Sequence, residues 1–367
     1  MKIRLHGEPC VIMDNPGSRF RYFAWPSAAR LQNGDIAVTA SGFRLRHICP
    51  FGKACIMFSR DGGETYTPPA PVIDTVLDDR DTGVTAFGES GVIVTSFNNA
   101  VAFQEMCLER GWSQSATKEL DAAYLALITP EEEAAALGAT YRISRDGGRT
   151  WGQLRHSPVT SPHGPAAMPD GSLLWVGRTF APMNAQRTGE DRVRAYHMQP
   201  DGTMEYRGEI APIVRGGREL LSCEPHAVCL PDGRVYACIR VQGEGVFTVY
   251  GSSSADGGRT WSAPRQLLSD RGGAPPHLLL HSSGVLILSY GYREEPCGIR
   301  VRFSRDGGGS WSGEHVLYET DAGADLGYPA TVEEADGGLL TVFYARPAAG
   351  EPAVIWQRKW SFFDDEI

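Results

Sequence analysis

The sequence predicts an all-β fold, a six-bladed β-propeller with a helical insertion in its second blade, and three observations carry that prediction. A strand–turn–strand unit occurs six times along 367 residues, with its turn glycine at Gly34, Gly91, Gly171, Gly233, Gly284 and Gly337. The unit returns roughly every 50 to 80 residues, and a lone hairpin cannot bury both of its faces, which is the logic of a radial repeat. An octet that begins Ser-x-Asp recurs between the hairpins and marks a second kind of turn.

Taken in order, Lys2 to Met13 is a strand-like run ahead of the first hairpin. It is expected to pair with Val354 to Trp360 and so complete the last blade, because joining the two ends of a ring removes its free edges. The fourth hairpin, from Cys223 to Gly243, shows the repeat most clearly: an apolar run from Ala227 to Leu230, a turn at Pro231 to Gly233, and a second apolar run from Val235 to Ile239. That geometry returns the chain to one sheet edge and places Glu224 and His226 beside Arg240. Five of the six hairpins carry a proline ahead of the first strand, and five carry an arginine after the second. Between Phe103 and Leu137 the composition turns helical, with Leu120, Ala123, Tyr124 and Leu127 spaced for one face and Thr129-Pro130 opening another helix. This insertion is a packing element, a face for a homo-oligomer, or a lid. Hairpins of one kind from end to end make residues 1–367 one domain.

Composition narrows the function. The 43 glycines and 24 prolines suit many short strands joined by turns, and a net charge of -9 argues against a nucleic-acid partner, so any anion site is local. Met1 to Val11 lacks the apolar core of a signal peptide, and no apolar run reaches membrane length; the chain is expected to be soluble and cytoplasmic, with no membrane partner. Eight cysteines without CxxC spacing read as reduced, buried thiols. His163, His226 and His277 show neither HxH nor HExxH spacing, so no metal and no cofactor are expected.

The octet reads SRDGGETY at 59–66, SRDGGRTW at 144–151, SADGGRTW at 254–261 and SRDGGGSW at 304–311, with a degenerate copy, QPDGTMEY, at 199–206. Its aspartate can accept backbone N–H groups across a tight turn, and its glycines supply positive φ. The pattern resembles the Asp-box of the sialidase superfamily, and the resemblance spans nearly the whole chain. It implies that Asp61, Asp146, Asp256 and Asp306 are structural and lie on the face away from the site.

Polar residues interrupt the strand pattern at one equivalent edge of blade after blade. The lead-ins supply Trp25, Asp78, Asp79, Arg80, Asp81, His163, Glu224, His226, His277 and Tyr328; the exits supply Arg44, Arg46, His47, Asn98, Asn99, Arg178, Arg240, Arg293 and Arg346. In register, these form the mouth of a central pore and the expected binding set for an acidic sugar. The sialidase resemblance implies more: Tyr328 as nucleophile, Glu224 as its base, Arg240 as a carboxylate-binding arginine, and Arg293 as another, with Arg300 competing. The chemistry is coherent. A sialic acid bears its carboxylate on the anomeric carbon and would repel an anionic nucleophile, so a neutral phenol serves, activated by an adjacent base. The family's F-R-I-P motif appears as Phe23-Ala24-Trp25-Pro26, so its arginine is absent and Arg44 or Arg46 would have to reach in from the next loop. That loop, Phe43 to Lys53, has no carboxylate, so the acid/base role falls to Asp81, with Asp79 and His47 as competitors. The leading expectation is a retaining exo-glycosidase releasing a terminal sialic or related acidic sugar. A lyase or hydrolase of uronic-acid glycans, with Tyr328 or one of His163, His226 and His277 moving the proton, and a non-catalytic carbohydrate-binding propeller are the alternatives.

Overall fold

A computed structural model describes residues 1–110, 117–180 and 191–364, and its sheets form the six-bladed propeller. Five blades follow chain order. Their strands are Tyr22–Arg30, Ile36–Arg44, Lys53–Ser59 and Ala70–Ile73; Asp78–Phe87, Gly91–Asn99, Ala139–Ser144 and Arg155–Ser157; and, in the third blade, Leu173–Thr179, Val193–Met198 and Met204–Ile210 behind a broken first strand, Val159–Thr160 and Ala166–Ala167. The fourth and fifth are Leu221–Cys229, Val235–Gly243, Val246–Ser254 and Arg265–Gln266, then Pro276–Leu280, Leu286–Tyr292, Cys297–Ser304 and His315–Thr320. The sixth joins the two ends of the chain: Gly327–Glu333, Leu339–Ala345 and Val354–Phe363 are completed by Lys2–Met13, paired from Lys2 with Phe363 to Met13 with Ile355. The expected closure is therefore the observed one.

The four full octets hold the same register. Ser59, Ser144, Ser254 and Ser304 pair with Ile36, Val92, Val235 and Leu286, the first or second residues after each hairpin turn. In the first octet Asp61 Oδ1 accepts from the backbone N–H of Glu64 (3.1 Å) and Thr65 (2.9 Å), while Ser59 Oγ accepts from Gly63 N–H at 2.7 Å. Asp146 and Asp256 repeat those backbone contacts, and Asp306 repeats the bond to the following hydroxyl residue. These donors hold the four carboxyls below the usual carboxylate range. The degenerate copy differs: Asp201 Oδ1 receives Thr203 N–H in a short hairpin turn. All four octets sit at the turn end of the blades, opposite the strand ends that carry the polar lead-ins.

Side chains and backbone tie neighbouring blades near the axis. Thr39 donates to Thr82 O (2.8 Å), Thr85 to Pro165 O (2.8 Å) and Phe23 N–H to Ala353 O (2.9 Å), while Leu278 N–H donates to His226 Nδ1 (2.9 Å) and Thr331 N–H to His277 Nδ1 (3.3 Å).

The insertion is three short helices, α1 (Val101–Glu109), α2 (Lys118–Leu125) and α3 (Pro130–Ala136); residues 111–116 lie outside the described residues. Thr129 caps α3 as its sequence suggests, exchanging hydrogen bonds with Glu132. The expected apolar face of α2 is corrected: Leu120 and Leu127 are exposed, and α2 instead packs through Asp121, Leu125 and a Tyr124 hydroxyl that donates to Val76 O. Asp121 is fully buried because it pairs with Arg46. No helix among the described residues is long and apolar enough to cross a membrane.

Trp360 anchors the closing blade, fully buried with its indole N–H donated to Thr341 at 2.8 Å. Trp360→Ala is expected to cost about 3–5 kcal/mol, the usual range for removing a large buried aromatic, read as a lower urea midpoint at unchanged slope.

Candidate active site

Four blades share one backbone device at the mouth end of the first strand. Their ladders break between Ala24 and Ser27, Arg80 and Gly83, Cys223 and His226, and Gly327 and Ala330. Inside each break one non-glycine residue takes positive φ: Trp25 at 53°, Asp81 at 48°, Glu224 at 49° and Tyr328 at 50°. Such residues cost free energy and persist where the surroundings over-determine them. Three of the four are followed by a proline, Pro26, Pro225 or Pro329, whose missing N–H takes nothing from a ladder already interrupted. The bulge also defeats strand alternation. Adjacent residues normally face opposite sides, yet Arg80 with Asp81, and Cys223 with Glu224, line the same cavity.

That cavity, about 560 Å³, lies at the mouth of the ring. Tyr328 donates its hydroxyl proton to Glu224 Oε1 at 2.8 Å. Arg240 Nη1 donates to both Glu224 oxygens, at 2.8 and 2.7 Å, and lies 3.5 Å from the Tyr328 oxygen; its Nε donates to Gln242 at 3.0 Å. Arg293 donates through Nε to Leu326 O at 3.1 Å and has no carboxylate partner among the described residues. The Phe247 ring contacts both guanidinium groups, 4.8 Å from Arg240 and 5.4 Å from Arg293. Across the cavity Arg80 stacks 4.0 Å from the Trp25 ring centroid and pairs with Asp78 at 3.2 Å, and Arg178 pairs with Asp191 at 2.8 Å.

The electrostatics follow from burial and from these neighbours. Burial, then the charge of Glu224, pushes the Asp81 carboxyl up to about 7 against the pull of Arg80, Arg240 and Arg44. Burial also holds the Tyr328 phenol well above its ordinary value, helped by Asp81 and Glu224 and opposed by Arg240 and Arg293, so the phenol keeps its proton. Burial works against the Arg240 charge, but Glu224 outweighs it and the guanidinium is held more firmly than usual.

Of the residues singled out in the sequence, Trp25, His47, Arg80, Asp81, Asn99, Arg178, Glu224, Arg240, Arg293 and Tyr328 line this cavity. The others are placed elsewhere, each for a visible reason. Arg44 is wholly buried behind the wall, held by Asp78, Ser41 and the His47 carbonyl. Arg46 reaches the insertion, to Thr117 and Asp121. Asp79 is buried within its blade, accepting from Thr75 N–H at 2.7 Å, and Asn98 closes the base of the insertion between Ala136 O and Gly138 N–H. His163, His226 and His277 pack together beneath the cavity, their ring centroids 4.5 to 5.4 Å apart, and do not line it. Since backbone N–H groups occupy Nδ1 of His226 and His277, these two are ties between blades, and burial lowers the basicity of all three. Among the described residues no such group is arranged as a metal would need. Arg300 is spent on Glu319 and nearby carbonyls in the fifth blade, leaving Arg293 as the arginine at the cavity. Sequence reasoning missed Gln242, which a period-two step from Arg240 would have found, and the aromatic wall of Phe97, Phe103 and Phe180, for which the sequence holds no signal.

Comparison with known proteins agrees with this architecture. The BNR repeat-like domain family matches residues 90–342. A protein of unknown function from Dyadobacter fermentans superposes with a TM-score of 0.75 at 22% identity, covering 98% of this chain and 99% of that one. The NanB sialidase of Streptococcus pneumoniae gives 0.66 at 11% identity, covering 96% and 70%, and the α-L-arabinofuranosidase Arb93A of Fusarium graminearum gives 0.63 at 14%, covering 96% and 96%. At such identities the likeness is one of fold. Among curated proteins the sequence finds no match.

Asp81 has a stability consequence. Its carboxyl binds a proton more tightly in the folded chain than in the unfolded one, where the value is about 3.9, so folding stability falls as pH rises from about 4 through about 7. Asp81→Asn, which also tolerates positive φ, is expected to raise Tm at pH 8 and to give no gain near pH 4; equal gains at both would contradict the assignment.

Proposed function

Because the chain belongs to the BNR repeat-like domain family and is a sialidase-like propeller, we propose that it is a retaining exo-glycoside hydrolase acting on a terminal sialic acid or related acidic sugar. The observation that carries this reading is the 2.8 Å contact between the Tyr328 hydroxyl and Glu224, clamped by Arg240 inside the cavity. A phenol that keeps its proton is a weak nucleophile, and a carboxylate already accepting that proton is the base it needs.

In the proposed cycle Arg293 and Arg240 take the sugar carboxylate, which orients the anomeric carbon toward Tyr328. The phenolic oxygen attacks that carbon as Glu224 accepts the phenol proton. Asp81, held protonated near neutrality, gives its proton to the departing glycosidic oxygen, and the bond to the leaving group breaks. Water then attacks the glycosyl-tyrosine, giving its proton to Asp81; Glu224 returns a proton to Tyr328, and the free sugar leaves. Arg80, rather than Arg44 or Arg46, supplies positive charge on the first-blade side, where the F-R-I-P arginine is missing. In the uronate-lyase reading Tyr328 or a histidine moves the proton; His163, His226 and His277 lie beneath the cavity, which leaves that role to Tyr328.

Tyr328→Phe is expected to lower turnover of aryl sialosides by about 10³-fold or more, and a fluorinated sialosyl fluoride to add covalently to Tyr328 in the parent protein, detected by peptide mass spectrometry. A fully active Phe variant would overturn the proposal. For the parent protein kcat/KM is expected to fall as pH climbs through about 7, where Asp81 loses its proton; Asp81→Asn should lose that limb and about 10² to 10⁴ in rate on substrates with poor leaving groups.

A further inference from the structure

We propose that His226 and His277 are positioning residues for the Glu224–Tyr328 couple, and that they hold it only while their rings are uncharged, so that acid disengages the site. The effect on turnover rests on the functional reading above; the positioning itself rests on contacts outside the cavity. Glu224 and Tyr328 belong to the fourth and sixth blades, and the fifth lies between them. Two imidazoles bridge that gap. His226, two residues after Glu224, accepts Leu278 N–H of the fifth blade, and His277 of the fifth accepts Thr331 N–H, three residues after Tyr328. Base and nucleophile are therefore joined from below through backbone, with one histidine at each seam.

Leu278 and Thr331 stand in the innermost strands of their blades, which pair within the sheet on one side only. Their N–H groups are buried at the seam, and a buried donor left without an acceptor is costly. A neutral imidazole supplies that acceptor at Nδ1 and keeps its proton on Nε2; an imidazolium has no acceptor at all. The rings also crowd one another. His226 stacks on His277 with centroids 4.5 Å apart, and His163 of the third blade stands edge-on to both, at 5.4 and 4.9 Å. Burial, and for His163 and His277 also the neighbouring rings, lowers their basicity, and His226 is held down to about 3 by burial alone. Charged groups of the adjoining elements are turned elsewhere: Asp81, Glu224, Arg240 and Tyr328 line the cavity above, and His281 pairs with Glu333 at the turn end. An unfolded histidine titrates near 6.5, so as pH falls below about 6.5 the opened chain takes up protons that the closed ring does not, and the ties weaken.

The test is amide hydrogen exchange on the full chain at Leu278 and Thr331, expressed as protection relative to a free amide, beside turnover of aryl sialosides. His277→Asn keeps an acceptor where Nδ1 stood but does not titrate, and His277→Phe keeps a ring without an acceptor. At pH 7 the Phe variant is expected to lose about tenfold or more of the protection at Thr331, while Leu278, tied to His226, keeps most of its own. Its kcat should fall about 10- to 100-fold, the scale of a misplaced reacting group, with KM changed less, and the Asn variant should recover most of both losses. In the parent, protection at the two amides should drop by up to about tenfold per pH unit below about 6.5, and the drop at Thr331 should be smaller in the Asn variant. Should His277→Phe fail to fold, His226→Phe and His226→Asn give the same comparison at Leu278. Equal protection at Thr331 in the Phe and Asn variants, or an equal acid drop in the Asn variant and the parent, would overturn the proposal, as would an unchanged kcat once protection is lost. Protection as expected in a protein that turns over no sialoside would remove the functional reading and leave the ties standing.

Discussion

The site depends on a half-buried carboxylate that touches a phenol and is held from behind by a guanidinium. Glu224 and Tyr328 lie 104 residues apart in sequence, in the fourth and sixth blades, so their 2.8 Å contact exists only when the ring is closed and rigid. Closure comes from pairing the first strand with the last, and rigidity from ties that cross the seams: threonine hydroxyls on carbonyls in the early blades, histidine Nδ1 atoms on backbone N–H groups in the later ones. Between the third and fourth blades the seam is apolar, with Leu174 and Val176 sharing a cluster with Ala227 and Ala237. A buried polar tie is worth little in net stability, but leaving its partner unsatisfied is costly, so these contacts fix how each blade sits on the next more than they add to the total.

The two ends of the blades divide the work. At the turn end the octets keep one register in four blades, and their serines and aspartates take up the backbone N–H groups of their own turns. At the mouth end the ladders break and, inside those breaks, four residues sit at positive φ, each at a cost of about 1–3 kcal/mol. That cost is accepted because an unbroken strand could not aim neighbouring side chains into one cavity. The raised Asp81 carboxyl adds to it. The regular end and the wide apolar clusters between blades supply the stability that the mouth gives up.

Much of this was legible in the sequence because distance along the chain maps onto place in the blade. Trp25, Glu224 and Tyr328 each precede the turn glycine of their hairpin, at 34, 233 and 337, by the same number of residues, so their common position at the mouth could be read without coordinates. Which polar residues face the cavity could not be read. His226 and His277 belong to the same lead-ins, but their Nδ1 atoms meet the backbone of the next blade, a partner that sequence distance conceals. Arg44 and Arg46 are the arginines that the sequence offers in place of the missing motif arginine, but the bulge turns Arg80 with Asp81 into the cavity and Arg44 stays behind Asp78. The misread face of α2 has a similar cause: its packed side contains Asp121, hidden by an ion pair with Arg46, so the helix buries a charge and exposes Leu120.

The insertion belongs to the site by the same reasoning. Asp78 is fully buried and accepts from Arg44, from Arg80 and from Gln104 of α1 at 3.0 Å. Burial would favour its neutral form, yet the arginines hold it below the usual carboxylate range, so the cluster is a charged one with Gln104 satisfying a remaining acceptor site. Two of its members, Arg44 behind the cavity wall and Arg80 at it, lie against the Trp25 ring, at 4.9 and 4.0 Å from its centroid. Displacing α1 would leave a buried acceptor unpaired and loosen the one arginine that faces the cavity where the first-blade motif has none. The helices inserted after Asn99 thus help to position Arg80 as well as to wall the cavity.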